Sequence, residues 1–251
     1  MRVLQIFKLL AIMLIGVYLG VVGWIYTIQD QLVYGPSHHV LNTPREAGLG
    51  YEAVSIRTGD GVQLSGWFIA GGATQKTVLF FHGNGGSIDC CIEHARLYHQ
   101  LGFAMLLIDY RGYGASTGEP SEPGLYQDAE AAWQHLTMAR GIPAAQIVVV
   151  GQSLGGGVAT WLATQHPPAG LILDSTFTAL TDVGARQYPW LPVSLLARNR
   201  YPSITRIASI AAPLLILHSR DDTLIPFSHA EQLYNVASLR NKASRVVPST
   251  A

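Results

Sequence analysis

The sequence predicts a single α/β domain with a largely parallel sheet, preceded by one membrane-spanning helix. Three observations carry this reading. Short, nearly unbroken apolar runs such as "TVLFF", "AMLLI" and "IVVV" recur between glycine-rich turns, and runs of this kind suit strands covered by helices on both faces. Longer amphipathic stretches alternate with them, as βαβ crossovers require. Ahead of both lie 21 residues without a charge, Leu9 to Gln29.

At about 1.5 Å per residue, that first stretch matches the roughly 30 Å of a bilayer core. A secretory signal, the competing reading, has an apolar region of only about 7–15 residues and a small-x-small cleavage site, and no such site stands out after Trp24. Arg2, Lys8 and the free amine precede the span, and the first positive residue beyond it is Arg45. The positive-inside bias therefore keeps the amino terminus cytoplasmic and sends the remainder to the periplasmic or extracytoplasmic side. Trp24 and Tyr26 suit the far interface. The expected organisation is an anchor over residues 1–30 and an α/β domain over residues 31–251, a length ordinary for one domain.

Sixteen basic and sixteen acidic residues cancel, and 13% of the chain is charged, which argues against nucleic acid or another polyanion as partner. Cys90 and Cys91 are adjacent and cannot staple distant segments. The only histidine pair, His38-His39, has no cysteine or carboxylate at ligand spacing. No metal or cofactor is expected.

Strands are expected at Glu52–Arg57, Val62–Ile69, Thr77–Phe81, Ala104–Asp109, Ile147–Val150, Gly170–Asp174, Pro213–His218 and Ser244–Val247, the first two joined as a hairpin across Gly59, Asp60 and Gly61. Helices are expected at Asp89–Gln100, Pro123–Met138, Leu154–Thr164 and His229–Ala237. Residues 175–212, rich in aromatic, proline and aliphatic side chains, are too long for a simple connection. They form either a small cap over the carboxyl ends of the strands or the usual covering helix with a loop.

Gly151-Gln152-Ser153-Leu154-Gly155 fits G-x-S-x-G and lies directly between "IVVV" and a helical pattern. A serine hydroxyl is a weak nucleophile and must stand on a sharp strand-to-helix turn where a base can reach it, with small residues two positions to either side. Upstream, "VLFFHGNGGS" ends a strand in His82-Gly83-Asn84-Gly85-Gly86. Such a backbone can aim amides at an oxyanion, with Leu154 as one donor and Asn84 or Gly85 as the other. A phosphate-cradling loop is the alternative, but the P-loop lysine and the G-x-G-x-x-G spacing are absent. His82 reads as a structural turn residue. "PLLILHSRDDTLIP" puts Asp221 and Asp222 at the end of a late strand, where the order serine, acid, histidine places its carboxylate. Asp174, closing an earlier strand, is a second candidate acid.

The segments "FFHGNGG", "LIDYRGYGAS", "GQSLGGGVA", "LILDSTFTALTDV", "YPWLPV" and "LLILHSRDDTLIP" resemble the membrane-anchored α/β-hydrolase domain proteins related to Bem-type and serine-aminopeptidase-like hydrolases, from about Leu32 onward. The resemblance implies the α/β-hydrolase fold with an eight-stranded sheet. It also implies a Ser-Asp-His triad, in which Ser153 and, by the spacing D-x-x-I-P, Asp222 fall on the matching positions. Asp109 to Ser116 would be a turn lining the site, or simply a tight turn in which Arg111 bonds nearby carbonyls. The expected substrate is a small-molecule or lipid-like ester, thioester or amide.

The histidine is the gap. Only His229 follows Asp222, and it reads as a solvent-facing or capping residue. "SRVVPSTA" resembles the last strand and the start of the loop in which a Gly-His pair follows in the resembled family. The expectation is a chain cut short before its base and its final covering helix, with an apolar strip left bare and little hydrolytic activity. A scaffold that has lost its base and only binds is the alternative.

Overall fold

The computed structural model describes residues 2–237 and 242–244. Helix α1 (Arg2–Val33) is followed by strands β1 (Glu52–Arg57), β2 (Gln63–Ile69) and β3 (Thr77–Phe81), then α2 (Ile92–Gln100), β4 (Ala104–Ile108), α3 (Glu122–Gln134), β5 (Ile147–Gln152), α4 (Leu154–Gln165) and β6 (Gly170–Asp174). Three short helices, α5 (Leu180–Gln187), α6 (Val193–Leu196) and α7 (Ser203–Arg206), lead to β7 (Leu214–Leu217), α8 (Ser228–Val236) and β8 (Lys242–Ser244). The eight strands form one sheet in the order β1-β2-β4-β3-β5-β6-β7-β8. β2 runs antiparallel to both its neighbours, and every other pairing is parallel.

Each expected strand is present within a residue or two, apart from the last, for which pairing is described at Lys242–Ser244 and the remainder of Ser244–Val247 lies outside the described residues. All five side chains of β3 are buried, as befits a strand near the middle of a covered sheet. The two faces are unequally covered toward the β8 edge. Val149, Leu171, Leu173, Leu214 and Ile216 are buried, whereas Val148, Ile172, Leu215 and Leu217 are half-buried.

Helix α1 is longer than the charge-free stretch and runs past the expected boundary at residue 30 to Val33. Within residues 3–33 an 18-residue stretch reaches mean hydropathy 2.3, and the helix is long and apolar enough to cross a membrane. Its half-buried positions are Val22, Ile25, Ile28, Gln29, Asp30 and Val33, most of them three or four residues apart, which marks a face laid against the domain toward its end. Residues 175–212 hold α5, α6 and α7 rather than one covering helix.

The turn after β4 corrects an expectation. Arg111 bonds carboxylates, not carbonyls: Nε donates to Asp128 Oδ1 at 2.9 Å and Nη1 to Asp60 Oδ2 at 2.8 Å, while the Arg111 amide donates to Asp128 Oδ2 at 2.8 Å. Asp128 is fully buried on α3, so the guanidinium joins that helix to the β1–β2 hairpin. Asp109, just after β4, accepts the Ile88 amide at 2.8 Å through Oδ1, but its buried Oδ2 has no hydrogen-bond partner among the described residues. Burial therefore pushes its carboxyl up to about 7.

Two outcomes follow. Arg111→Leu leaves Asp128 charged and buried and is expected to cost about 3–5 kcal/mol at pH 8, read as a lowered denaturation midpoint by tryptophan fluorescence. Asp109 has a folded pKa raised from about 4 in the unfolded chain to about 7, so it weakens the fold progressively as pH rises through that window. The Asp109→Asn variant should gain stability relative to the parent between pH 4 and 7. A difference that stays flat across those pH values excludes the effect.

Candidate active site

The site is built where β5, α4 and the loop after β3 cross. Their spacing is set by backbone rather than side chains. A Cβ on Gly155 would lie 2.6 Å from the Phe81 carbonyl carbon and 2.7 Å from the His82 oxygen, and one on Gly151 would lie 2.7 Å from Ala159 Cβ. Such distances are excluded for real side chains, so the helix can start this close to the sheet only with glycine at both positions.

Between these glycines Ser153 has φ 50° and ψ −116°, outside the regions ordinary L-residues occupy. The strained backbone is held on both sides. Its amide donates to the Asp174 carbonyl at 2.9 Å, and its carbonyl accepts from Thr176 Oγ1 at 2.7 Å and from the Gly156 amide at 3.0 Å. Asp174 thus supports the serine through its main chain, while its carboxylate accepts from Ser175 Oγ at 3.1 Å. The Ser153 hydroxyl caps no helix amide, and the half-buried side chain lines a cavity of about 330 Å3 with Asn84, Leu154, Leu224 and Ile225.

The loop after β3 passes directly beside the serine, since a Cβ on Gly83 would sit 3.5 Å from Ser153 Cβ. His82 is fully buried, and its Nδ1 pairs with the Gly83 carbonyl at 2.8 Å. The C=O and N–H of a trans peptide point opposite ways. Fixing the Gly83 carbonyl therefore turns the Asn84 amide away from His82. Burial drives the imidazole down to about 4, which keeps it neutral near pH 7. The next peptide is also pinned: the Asn84 carbonyl accepts from the Gly35 amide at 2.9 Å and from Tyr113 Oη at 2.8 Å. Among the described residues, neither the Asn84 nor the Leu154 amide donates to a protein acceptor.

Asp222 is half-buried in the loop after β7, and Asp221 is exposed. Asp222 Oδ1 accepts the amides of Leu224 at 3.0 Å and Ile225 at 2.8 Å. Oδ2 lies 3.7 Å from His218 Nε2, which is itself 2.7 Å from the Ile225 carbonyl. His229 is neither solvent-facing nor a cap. It is buried, and its Nδ1 accepts the Thr178 amide at 3.2 Å. Burial lowers its pKa, in keeping with a neutral ring. Among the described residues no histidine hydrogen-bonds Ser153 or Asp222 through a side chain.

Sequence reasoning offered residues 175–212 as a cap but missed that α1 joins them in the other wall of the cavity. Asn199 is its hub. Asn199 Nδ2 donates to Asp30 Oδ1 at 2.6 Å, and Asn199 Oδ1 accepts from Tyr34 Oη and from the Glu122 amide, each at 2.9 Å. Glu122, buried at the start of α3, accepts the amides of Arg200 and Tyr201. No local motif announces these contacts, because their partners are separated by 77 to 169 residues.

Comparison with known proteins agrees with this architecture. The family model described as alpha/beta hydrolase fold matches residues 76–198. The chain is 34% identical to an alpha/beta hydrolase domain-containing protein of Arabidopsis thaliana, over 90% of this chain and 81% of the relative. It is 31% identical to the protein bem46 of Schizosaccharomyces pombe, over 93% and 83% respectively. Identity to an uncharacterized membrane protein of Saccharomyces cerevisiae is 32%, over 88% of this chain and 81% of that one. Among solved structures, an esterase from Pyrococcus furiosus superposes with TM-score 0.72 at 26% identity, covering 87% of this chain and 89% of its own. The apolar α1 and the membrane relative together point to membrane association. The chain belongs to the alpha/beta hydrolase family, among relatives that include bem46.

Proposed function

We propose that the protein is a membrane-tethered serine hydrolase that cleaves a carboxylic ester, thioester or amide with Ser153 as nucleophile. The observation that carries the reading is the positive φ of Ser153 at the β5–α4 corner, beside the Asn84 and Leu154 amides, which find no acceptor among the described residues. Backbone strain of this kind persists only where its surroundings impose it, and it concentrates at sites of chemistry. The esterase character of the Pyrococcus furiosus structure favours an ester among the three bond types.

In this mechanism Ser153 Oγ attacks the carbonyl carbon as a histidine takes its proton. The Leu154 and Asn84 amides donate to the oxygen that becomes negative, and they are already aimed before the charge forms. Collapse expels the alcohol, thiol or amine, which carries away that proton, and water releases the acyl group by the same route. Asp222 orients the base. Its Oδ1 is held by the Leu224 and Ile225 amides, which leaves Oδ2 for an imidazole N–H. By the family order, the base follows Asp222 in sequence. His229 does not serve, because its Nδ1 faces Thr178, and no other histidine follows Asp222 in this sequence, so the reading assigns the base to none of its histidines.

α1 is the anchor in this reading, with its amino terminus cytoplasmic and the α/β domain on the periplasmic or extracytoplasmic side. It stays attached, because Ile25 and Val33 form part of the cavity wall and Asp30 pairs with Arg198 at 2.7 Å. Residues 175–212 act as the cap.

A fluorophosphonate probe tests the nucleophile. Applied to a form continued through a Gly-His-bearing loop after β8, it should label the protein, and Ser153→Ala should abolish the labelling. Absence of labelling in that folded, extended form would defeat the hydrolase reading and leave a binding scaffold. In the same form, Asp222→Asn is expected to lower ester turnover about 10⁴-fold, as loss of the orienting carboxylate does in serine proteases. Unchanged turnover would move that role to another acid.

A further inference from the structure

Helix α1 does more than hold the domain near a bilayer, because it supplies one side of the cavity that contains Ser153. Ile25 and Val33 of α1 face Val183, Leu191 and Leu196 of the cap across the same space, and Leu224 stands on the Asp222 loop. Polar contacts fix the helix in this position. Gln29 Oε1 accepts the Arg198 amide at 2.8 Å, and Asp30 receives Arg198 Nη2 at 2.7 Å and Asn199 Nδ2 at 2.6 Å. These bonds tie the last turns of the helix to the cap, so the wall is built in.

The cap also extends far along the helix. Tyr18 Oη donates to the Trp190 carbonyl at 3.1 Å, and Tyr18 lies about 22 Å along the axis from Val33 at 1.5 Å per residue. Trp190 therefore sits beside the apolar part of α1. Trp190, Leu195 and Leu224 are 51%, 80% and 58% exposed. Tyr18 lies near the middle of the charge-free stretch Leu9–Gln29, so beside a spanning α1 these large apolar side chains belong among the acyl chains of the leaflet. With α1 spanning a bilayer, this edge of the cap meets the leaflet, and the cavity at Ser153 is at membrane level.

We infer that the cavity takes the acyl chain of a single-chain lipid ester drawn from the bilayer leaflet that faces the domain, with α1 as one wall of the acyl site. The volume of about 330 Å3 is at the lower end of the range for small-molecule sites, about 300–1,000 Å3, which suits one chain rather than two. The apolar lining holds the chain, and Ser153 and the Leu154 and Asn84 amides stand where its carbonyl arrives. The inference rests on the hydrolase reading for its chemistry, but chain binding does not need the nucleophile, so the two fail separately.

The test uses the full chain in phosphatidylcholine vesicles that contain a lysophospholipid with a photoactivatable diazirine at the end of its acyl chain. After irradiation and digestion, cross-links should map to residues 25–33 of α1 and to residues 180–196 of the cap. Thr181→Trp and Leu224→Trp, two side chains that line the cavity, should each lower those cross-links about tenfold, equivalent to about 1.4 kcal/mol. Ser153→Ala should leave them in place while abolishing phosphonate labelling of the extended form. Cross-links confined to the outward-facing residues between Val3 and Val17, or cavity cross-links indifferent to both tryptophans, would overturn the inference.

Discussion

Everything at this site depends on how closely a helix can begin against a sheet. At Gly155 the distance to the Phe81 and His82 carbonyls leaves no room for a Cβ. A single methyl there would push α4 off β3 and relax the turn that gives Ser153 its φ of 50°. The same closeness brings the loop after β3 against the serine. The position of the Ser153 side chain and that of the Asn84 amide are thus two results of one steric limit, and neither can be adjusted without the other.

Electrostatics finishes what packing begins. His82 is kept neutral by burial, so its Nδ1–H can hold the Gly83 carbonyl without bringing a charge under the site. Asp222 is fixed through one carboxylate oxygen by two amides of its own loop. The buried Arg111, paired with Asp128 and Asp60, tethers the β1–β2 hairpin to α3.

The second organising constraint is the union of α1 with residues 175–212. Asp30, Tyr34, Glu122, Asn199 and Tyr201 form one connected set of hydrogen bonds reaching from α1 through that segment to α3. Partly buried polar groups satisfied in this way fix one arrangement among many, because any other would leave donors without acceptors. A helix that composition marks only as a membrane span thereby becomes a structural part of the domain.

The sheet was legible in the sequence because its signals are local. β3 and β5 are short apolar runs ending in glycine, and α4 follows a motif whose meaning lies within five residues, Gly151 to Gly155. The D-x-x-I-P spacing singled out Asp222, whose Oδ1 is held by the Leu224 and Ile225 amides of its loop. Other parts were misread or invisible for a common reason. His229 looks like an exposed residue at a helix start and is buried only because the strand-to-cap segment carrying Thr178 folds over it. Arg111 looks like a turn residue until Asp128 arrives from α3. Ile25 lies in the stretch read as membrane-spanning, yet with Val33 it lines the cavity that holds Ser153. The chain by itself determined strand and helix periods, the strained serine turn and the apolar anchor, since these are set by side chains a few residues apart. Only the tertiary structure decided which face of the anchor closes the cavity and which polar groups latch it there, because those contacts join residues more than 160 positions apart whose chemistry is ordinary until folding brings them together.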